Sequence, residues 1–184
     1  MLDDGTAELI KAAGGLRGIA VSHPHFHNSM VNWAHTFGCP VFIHAANSPW
    51  VMGPDPSVHF WDGERVELAP GMTLIHCGGH FPGSSVLHHD RDGGELFTGD
   101  TLYVNPDHRN VTVTYSFPNY IPVSAAEVRR VANAVAPFEV RRLYGQWWDA
   151  VIPDGGKEII RRSAERYVAA IEGKYDEQPA RRIA

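Results

Sequence analysis

Three short runs in this chain end alike. Gly18-Ile19-Ala20-Val21-Ser22 breaks into His23-Pro24-His25, Thr73-Leu74-Ile75-His76-Cys77 runs into Gly78-Gly79-His80, and Glu95-Leu96-Phe97 leads through Thr98-Gly99 to Asp100. The first two are apolar runs of the length and character of strands buried on both faces of a sheet. A strand that stops at glycine or proline and then offers an imidazole or a carboxylate places that group at the sheet edge. Open α/β sheets build their sites at the carboxyl ends of strands.

The rest of the chain fits that constraint. Asp3-Asp4 caps an amphipathic helix that stops at Gly14-Gly15, and Met30, Trp33, Ala34 and Phe37 at helical spacing predict a second helix ending at Gly38. Pro40-Val41-Phe42-Ile43-His44 is the next strand, so the opening order is α-β-α-β with connections suited to βαβ units. The middle reads as a β-meander. Val58–Trp61 and Val66–Leu68 flank Asp62-Gly63 as a hairpin, and Ser85–His89 and Glu95–Gly99 flank Asp92-Gly93-Gly94 as another. The end returns to α/β: a helix over 124–136 with Ser124 as N-cap and Val128, Val131 and Val135 inward, a strand from Val140 to Tyr144, and a helix over 155–172. That last helix carries Ile159, Ile160, Ser163, Tyr167 and Ile171 on one face. A polar, frayed tail is expected after Gly173. With no linker and no repeat, residues 1–184 form one α/β (α+β) domain.

Composition excludes several classes. A net charge of -5, with basic pairs such as Arg129-Arg130, Arg141-Arg142 and Arg161-Arg162 scattered rather than striped, argues against nucleic acid as a partner. No segment has the length and apolarity of a membrane span. Residues 1–10 lack the basic and apolar regions of a signal peptide. Cys39 and Cys77, in apolar runs without CxxC spacing, are read as buried free thiols. A cytoplasmic chain is expected. The count that stands out is eleven histidines, several of them beside glycine or proline.

His23 and His25, at i and i+2 in an extended segment, share a face and can reach one ion. His80 leaves a strand on two glycines that clear space around its ring. Asp100 follows Thr98-Gly99 at a third strand end. His44, at the end of its strand, either faces the cleft or is satisfied by backbone. His35, His59, His76, His88, His89 and His108 are read as structural or surface groups. His88 and His89 are adjacent in a strand and point to opposite faces. Residues 115–122 (Tyr115-Ser116-Phe117-Pro118-Asn119-Tyr120-Ile121-Pro122) and Trp147-Trp148-Asp149 are read either as rims of a substrate pocket or as core.

Taken in order, HxH at a strand end, then Gly-His-Phe-Pro-Gly-Ser-Ser from Gly79 to Ser85, then Thr98-Gly99-Asp100 resembles the metallo-β-lactamase fold superfamily from Gly18 to Tyr167. The resemblance implies an αββα sandwich with the metal site at the edge between the sheets. It implies His23, His25 and His80 as ligands of one metal, with Asp100 bridging to a second or completing a mononuclear site. The chain also departs from the pattern. Where the superfamily has HxHxDH, this sequence has His27 and Asn28 in the last two positions, and Gln146 follows Gly145 where a histidine is usual. Amides are poor zinc ligands beside imidazole or carboxylate. One tightly held metal is therefore expected, Zn²⁺ first, with iron or manganese as alternatives. The first sheet is expected to lack its opening strands. Either the gene starts upstream of Met1 or a partner, a homodimer for instance, covers the exposed edge.

The activity so implied is a mononuclear metal-dependent hydrolase of esters, thioesters or lactone-like small molecules. A metal held by three histidines lowers the pKa of a bound water and polarises a carbonyl. Asp100 would orient or deprotonate the water unless it ligates directly, and His27 would act as general base or proton shuttle. The alternatives are a mononuclear iron oxidoreductase of the persulfide dioxygenase type, using His23, His80 and Asp100, and a non-catalytic metal-binding module.

Overall fold

The computed structural model describes residues 2–116 and 118–176. The expected frayed tail beyond 176 and the ring of Phe117 therefore lie outside the described residues. The elements are α1 (Asp4–Ala12), β1 (Ile19–Ala20), α2 (Met30–Phe37), β2 (Val41–His44), β3 (Val58–Trp61), β4 (Arg65–Ala69), β5 (Met72–His76), β6 (Ser85–His89) and β7 (Glu95–Phe97). There follow β8 (Tyr103–Val104), β9 (Val111–Thr112), β10 (Thr114–Ser116), β11 (Ile121–Pro122), α3 (Ala125–Val135), β12 (Arg142–Tyr144), β13 (Val151–Ile152) and α4 (Gly156–Ile171). Short 3₁₀ turns cover Pro24–Ser29 and Ala45–Trp50.

Two sheets hold the molecule together. One is parallel and three-stranded in the order β1-β2-β3, and the other is six-stranded in the order β13-β12-β7-β6-β5-β4. Strands β4 to β7 form the expected antiparallel meander, and β12 joins β7 in parallel. Alternation along these strands assigns the faces. Ile75, Cys77, Val86, Leu96 and Leu143 pack with Val128, Val131 and Val135 of α3 and with Ile160 and Val168 of α4 in the main core. Leu74, Leu87 and Phe97, paired across β5, β6 and β7, face the other way and line a cavity of about 410 Å³ with Ile19, Val21 and Met30. Helix α2 packs on the small sheet, with Met30 and Ala34 against Val21, Val41 and Ile43. The layering is helix, sheet, sheet, helix, an αββα sandwich.

The helix signals operate as read. Asp3 accepts from the Thr6 N–H at the start of α1, Ser124 accepts from the Glu127 N–H at the start of α3, and Gly38 closes α2 in the left-handed conformation. No helix among the described residues is long and apolar enough to cross a membrane. Both cysteines are buried and free, and burial pushes the Cys77 thiol up to about 12.

Four expectations are corrected. The Asp62-Gly63 turn exists, with Gly63 at φ 87° and its N–H on Asp62 Oδ1, but it does not close a hairpin. All four residues of β3 pair in parallel with β2, while β4 pairs with β5, so this turn carries the chain from one sheet to the other. A turn dipeptide specifies a reversal, not the ladder on either side of it. Second, Ile171 is 44% exposed and does not share the buried face of α4. Third, Trp147 and Trp148 are exposed, as are Tyr115 and Tyr120, so none of them is core. The strand expected from Val140 is shorter, because the Val140 and Arg141 carbonyls accept from Lys157 and Gly156 at the start of α4.

Candidate metal centre

His23 follows β1 in extended conformation, and Pro24 then starts the 3₁₀ turn that carries His25. His80 hangs from the loop after β5, where Gly78 and Gly79 take φ 70° and 82°. Asp100 follows β7 after Gly99 at φ 52°. The small sheet thus contributes two side chains and the large sheet the other two. One atom from each lies within 4.8 Å of the other three. His23 Nε2 stands 3.3 Å from Asp100 Oδ2, His25 Nδ1 3.5 Å from His80 Nε2, and Asp100 Oδ2 is 4.0 Å from His25 and 3.9 Å from His80. Donors about 2.0–2.1 Å from an ion stand about 3.3 Å apart along a tetrahedral edge, so the cluster is slightly wider than a closed shell.

Partners outside the cluster orient the rings. The Thr114 carbonyl, 3.1 Å from His80 Nδ1, only accepts; Nδ1 therefore carries the hydrogen and Nε2 turns its lone pair to the cluster. Ser22 Oγ lies 2.9 Å from His23 Nδ1 and holds the orientation of that ring. His23 and His80 are buried, whereas the His25 side chain is 52% exposed and marks the open side. His23 Nε2 and Asp100 Oδ1 are buried and make no hydrogen bond among the described residues. Buried polar atoms without partners are costly, and a cation supplies what these two lack. Three imidazoles and a carboxylate are also a donor set suited to zinc or iron. The residues present fit a metal ion.

Phe26 packs edge-on to His23 at 4.8 Å, and Phe81 packs against His25 and His80 at 5.1 and 4.9 Å. These rings dry one side of the cluster. Burial, with the neighbouring His23, holds His25 and His80 below the usual histidine range, against the pull of Asp100. Both are thereby favoured in the neutral form that ligation needs.

The other sequence candidates are not among the four clustered residues. His27 Nδ1 is 3.3 Å from the Trp50 carbonyl, its Nε2 is buried without a hydrogen-bond partner, and burial lowers its pKa. Asn28 is exposed. Gln146, with its amide oriented to satisfy both groups, donates to the Gly99 carbonyl and accepts from the Trp147 indole, so it braces the turn before Asp100. His44 is satisfied by backbone, with Nε2 on the Gly63 carbonyl and Nδ1 accepting from the Ala46 N–H. Ser22 and Phe81 lie inside the motifs and were within reach of the sequence. The Thr114 carbonyl, 34 residues from His80, was not.

Structure comparison decides the fold. A metallo-β-lactamase from Cronobacter sakazakii with a HARLDQ motif superposes over 96% of this chain and 80% of its own, with a TM-score of 0.58 and 17% identity.

The chain has the metallo-β-lactamase fold.

A metallo-β-lactamase family protein from Thermus thermophilus matches 94% of the chain and 67% of its own at TM-score 0.57 and 21% identity. An N-acyl homoserine lactone hydrolase, with its product bound at the catalytic metal center, matches 76% and 60% at TM-score 0.52 and 20% identity. By sequence, the uncharacterized protein YmaE of Bacillus subtilis is 39% identical over 173 residues. That match covers 92% of this chain, which spans 63% of the length of that relative. No family model matches the sequence. Within the metallo-β-lactamase fold, the four-residue cluster stands at the edge between the sheets.

Proposed function

We propose that this chain is a metal-dependent hydrolase of an ester, thioester or lactone-like small molecule, working with one tightly held ion, zinc in our reading. The observation that carries the proposal is the convergence of His23, His25, His80 and Asp100, with two buried polar atoms, His23 Nε2 and Asp100 Oδ1, left without a hydrogen bond among the described residues. Those four residues would hold the ion, which supplies an acidified water and an electrophilic pull on a carbonyl. Asp100 would orient that water or take its proton unless it ligates directly. His27, kept neutral by burial and with Nε2 unpaired, is the base or proton shuttle. Support for a lactone or ester substrate comes from the lactone hydrolase among the structural neighbours. Support for a single ion comes from Asn28 and Gln146, the first turned to solvent and the second engaged with Gly99.

Elemental analysis of freshly purified protein, with His80→Ala as control, tests the proposal together with an ester, thioester and lactone panel. The expected result is about one zinc per chain and turnover, both lost in the variant. Iron would transfer the site to the mononuclear oxidoreductase of persulfide dioxygenase type, with His23, His80 and Asp100 as its facial triad. A bound ion without turnover would leave a metal-binding module. A folded protein without metal would end the proposal. The two buried free thiols support a reducing, cytoplasmic setting. Strand β1, the edge of its sheet with Ala20 exposed, is the surface on which we place a homodimer contact.

A further inference from the structure

Beside the metal cluster lies an open cavity of about 450 Å³ whose lining includes His80 and Phe81 and, from α3, Glu127 and Arg130. That volume lies within the roughly 300–1,000 Å³ of small-molecule sites. The Arg130 guanidinium is seated closely on the loop that bears His80. A β-carbon on Gly78 would stand 2.6 Å from Arg130 Nη1 and 2.8 Å from Cζ, so only glycine lets the guanidinium rest there. Its neighbours leave it short of acceptors. His76 Nε2 lies 3.4 Å from Nη2, but that nitrogen is 2.7 Å from the Pro82 carbonyl, which only accepts. His76 Nε2 therefore carries a hydrogen and has no lone pair for arginine. Glu127 Oε2 stands 3.6 Å from Nη1, beyond hydrogen-bond length, in a half-exposed pair one helical turn away. The Arg130 guanidinium thus borders the cavity with no acceptor at good hydrogen-bond length among the described residues, and Glu127 is its nearby ion-pair partner.

We propose that Arg130 is a specificity-determining residue that binds a carboxylate on the substrate, at the end away from the bond that is cleaved. The substrate class is then a carboxylate-bearing ester, thioester or lactone. This rests on the hydrolase reading above. A planar carboxylate takes two parallel N–H donors from one guanidinium, and Glu127 competes with it for the same fork.

The test compares the 4-nitrophenyl monoester of glutaric acid with a neutral 4-nitrophenyl ester of the same chain length, on the metal-loaded enzyme. Wild type is expected to favour the acid. Arg130→Gln should lower the acid-to-neutral ratio of kcat/KM by about 10-fold or more through KM, the scale of one charge-assisted contact. Arg130→Lys should recover part of it. Glu127→Gln should shift the ratio the other way by lowering KM for the acid. An unchanged ratio in Arg130→Gln overturns the inference. If wild type turns over neither ester, the hydrolase reading fails for these substrates, and calorimetric titration of glutarate into the protein as purified decides the arginine. Binding lost in Arg130→Gln sustains it; no binding, or equal binding to both proteins, overturns it.

Discussion

Gly99 shows how little room the site leaves at the scale of a single residue. It holds φ 52°, and a methyl group there would stand 2.5 Å from Ser22 Oγ, the partner of His23 Nδ1. Gly99→Ala should therefore displace Ser22 and release the His23 ring, weakening metal affinity by about 10- to 100-fold as other outer-shell losses do. Competition with a chelating dye measures it, while an unchanged far-ultraviolet circular dichroism spectrum shows that the fold survives. An affinity equal to wild type would mean that Ser22 does not orient the ring. Much of this scale was legible. His23, His25, His80 and Asp100 are each flagged by an adjacent glycine or proline that stops a strand. Arg130 was not, because in sequence it is one member of a solvated basic pair. Nothing local announces that Gly78, more than fifty residues earlier, makes its seat.

Among the elements, α3 ties both proposals together, since it covers the large sheet with Val128, Val131 and Val135 and carries Arg130 and Glu127. Its start depends on Ser124 Oγ accepting from the Glu127 N–H at 3.2 Å. Ser124→Ala should cost about 1 kcal/mol and lower Tm by roughly 2–4 °C. Differential scanning calorimetry checks this, and an unchanged Tm would show that the cap carries no load. Helices and the meander were readable because their periods, 3.6 and 2, are written in the chain. The allocation of strands to sheets was not. Asp62-Gly63 encodes a reversal, yet β3 is drawn to β2 by parallel pairing of Val58, His59, Phe60 and Trp61, a choice made by distant partners. In the same way Ile171 continues the apolar period of α4 past the edge of the core it covers.

For the whole molecule, buried histidines set the response to acid. Burial is the first cause that lowers the pKa of His25, His27, His44 and His80 from 6.5. His44 also feels His76 and Arg130, against the pull of its Gly63 bond and Asp62. Above 6.5 both folded and unfolded chains keep these rings neutral. Below it the unfolded chain takes up protons that the folded chain refuses, so stability is lost as pH falls toward the folded values. Tm of the metal-free protein should be level from pH 8 to 7 and fall toward pH 5. His44→Gln should reduce the slope, because that ring is buried with both nitrogens engaged by backbone. A Tm that does not change across this range would contradict the assignment of these rings as neutral.

The division of the cluster between two sheets has a consequence for how the protein is made. His23 and His25 leave the ribosome early, with the small sheet, but about 75 residues separate His25 from Asp100. At roughly 5–20 residues per second the nascent chain spends about 4–15 s with imidazoles, two and then three, but no carboxylate to complete the set. A pair of histidines holds an ion far more loosely than four convergent donors do. On the proposed site, metal loading would follow docking of the second sheet, so the ion would go to finished molecules and pass over unfinished ones.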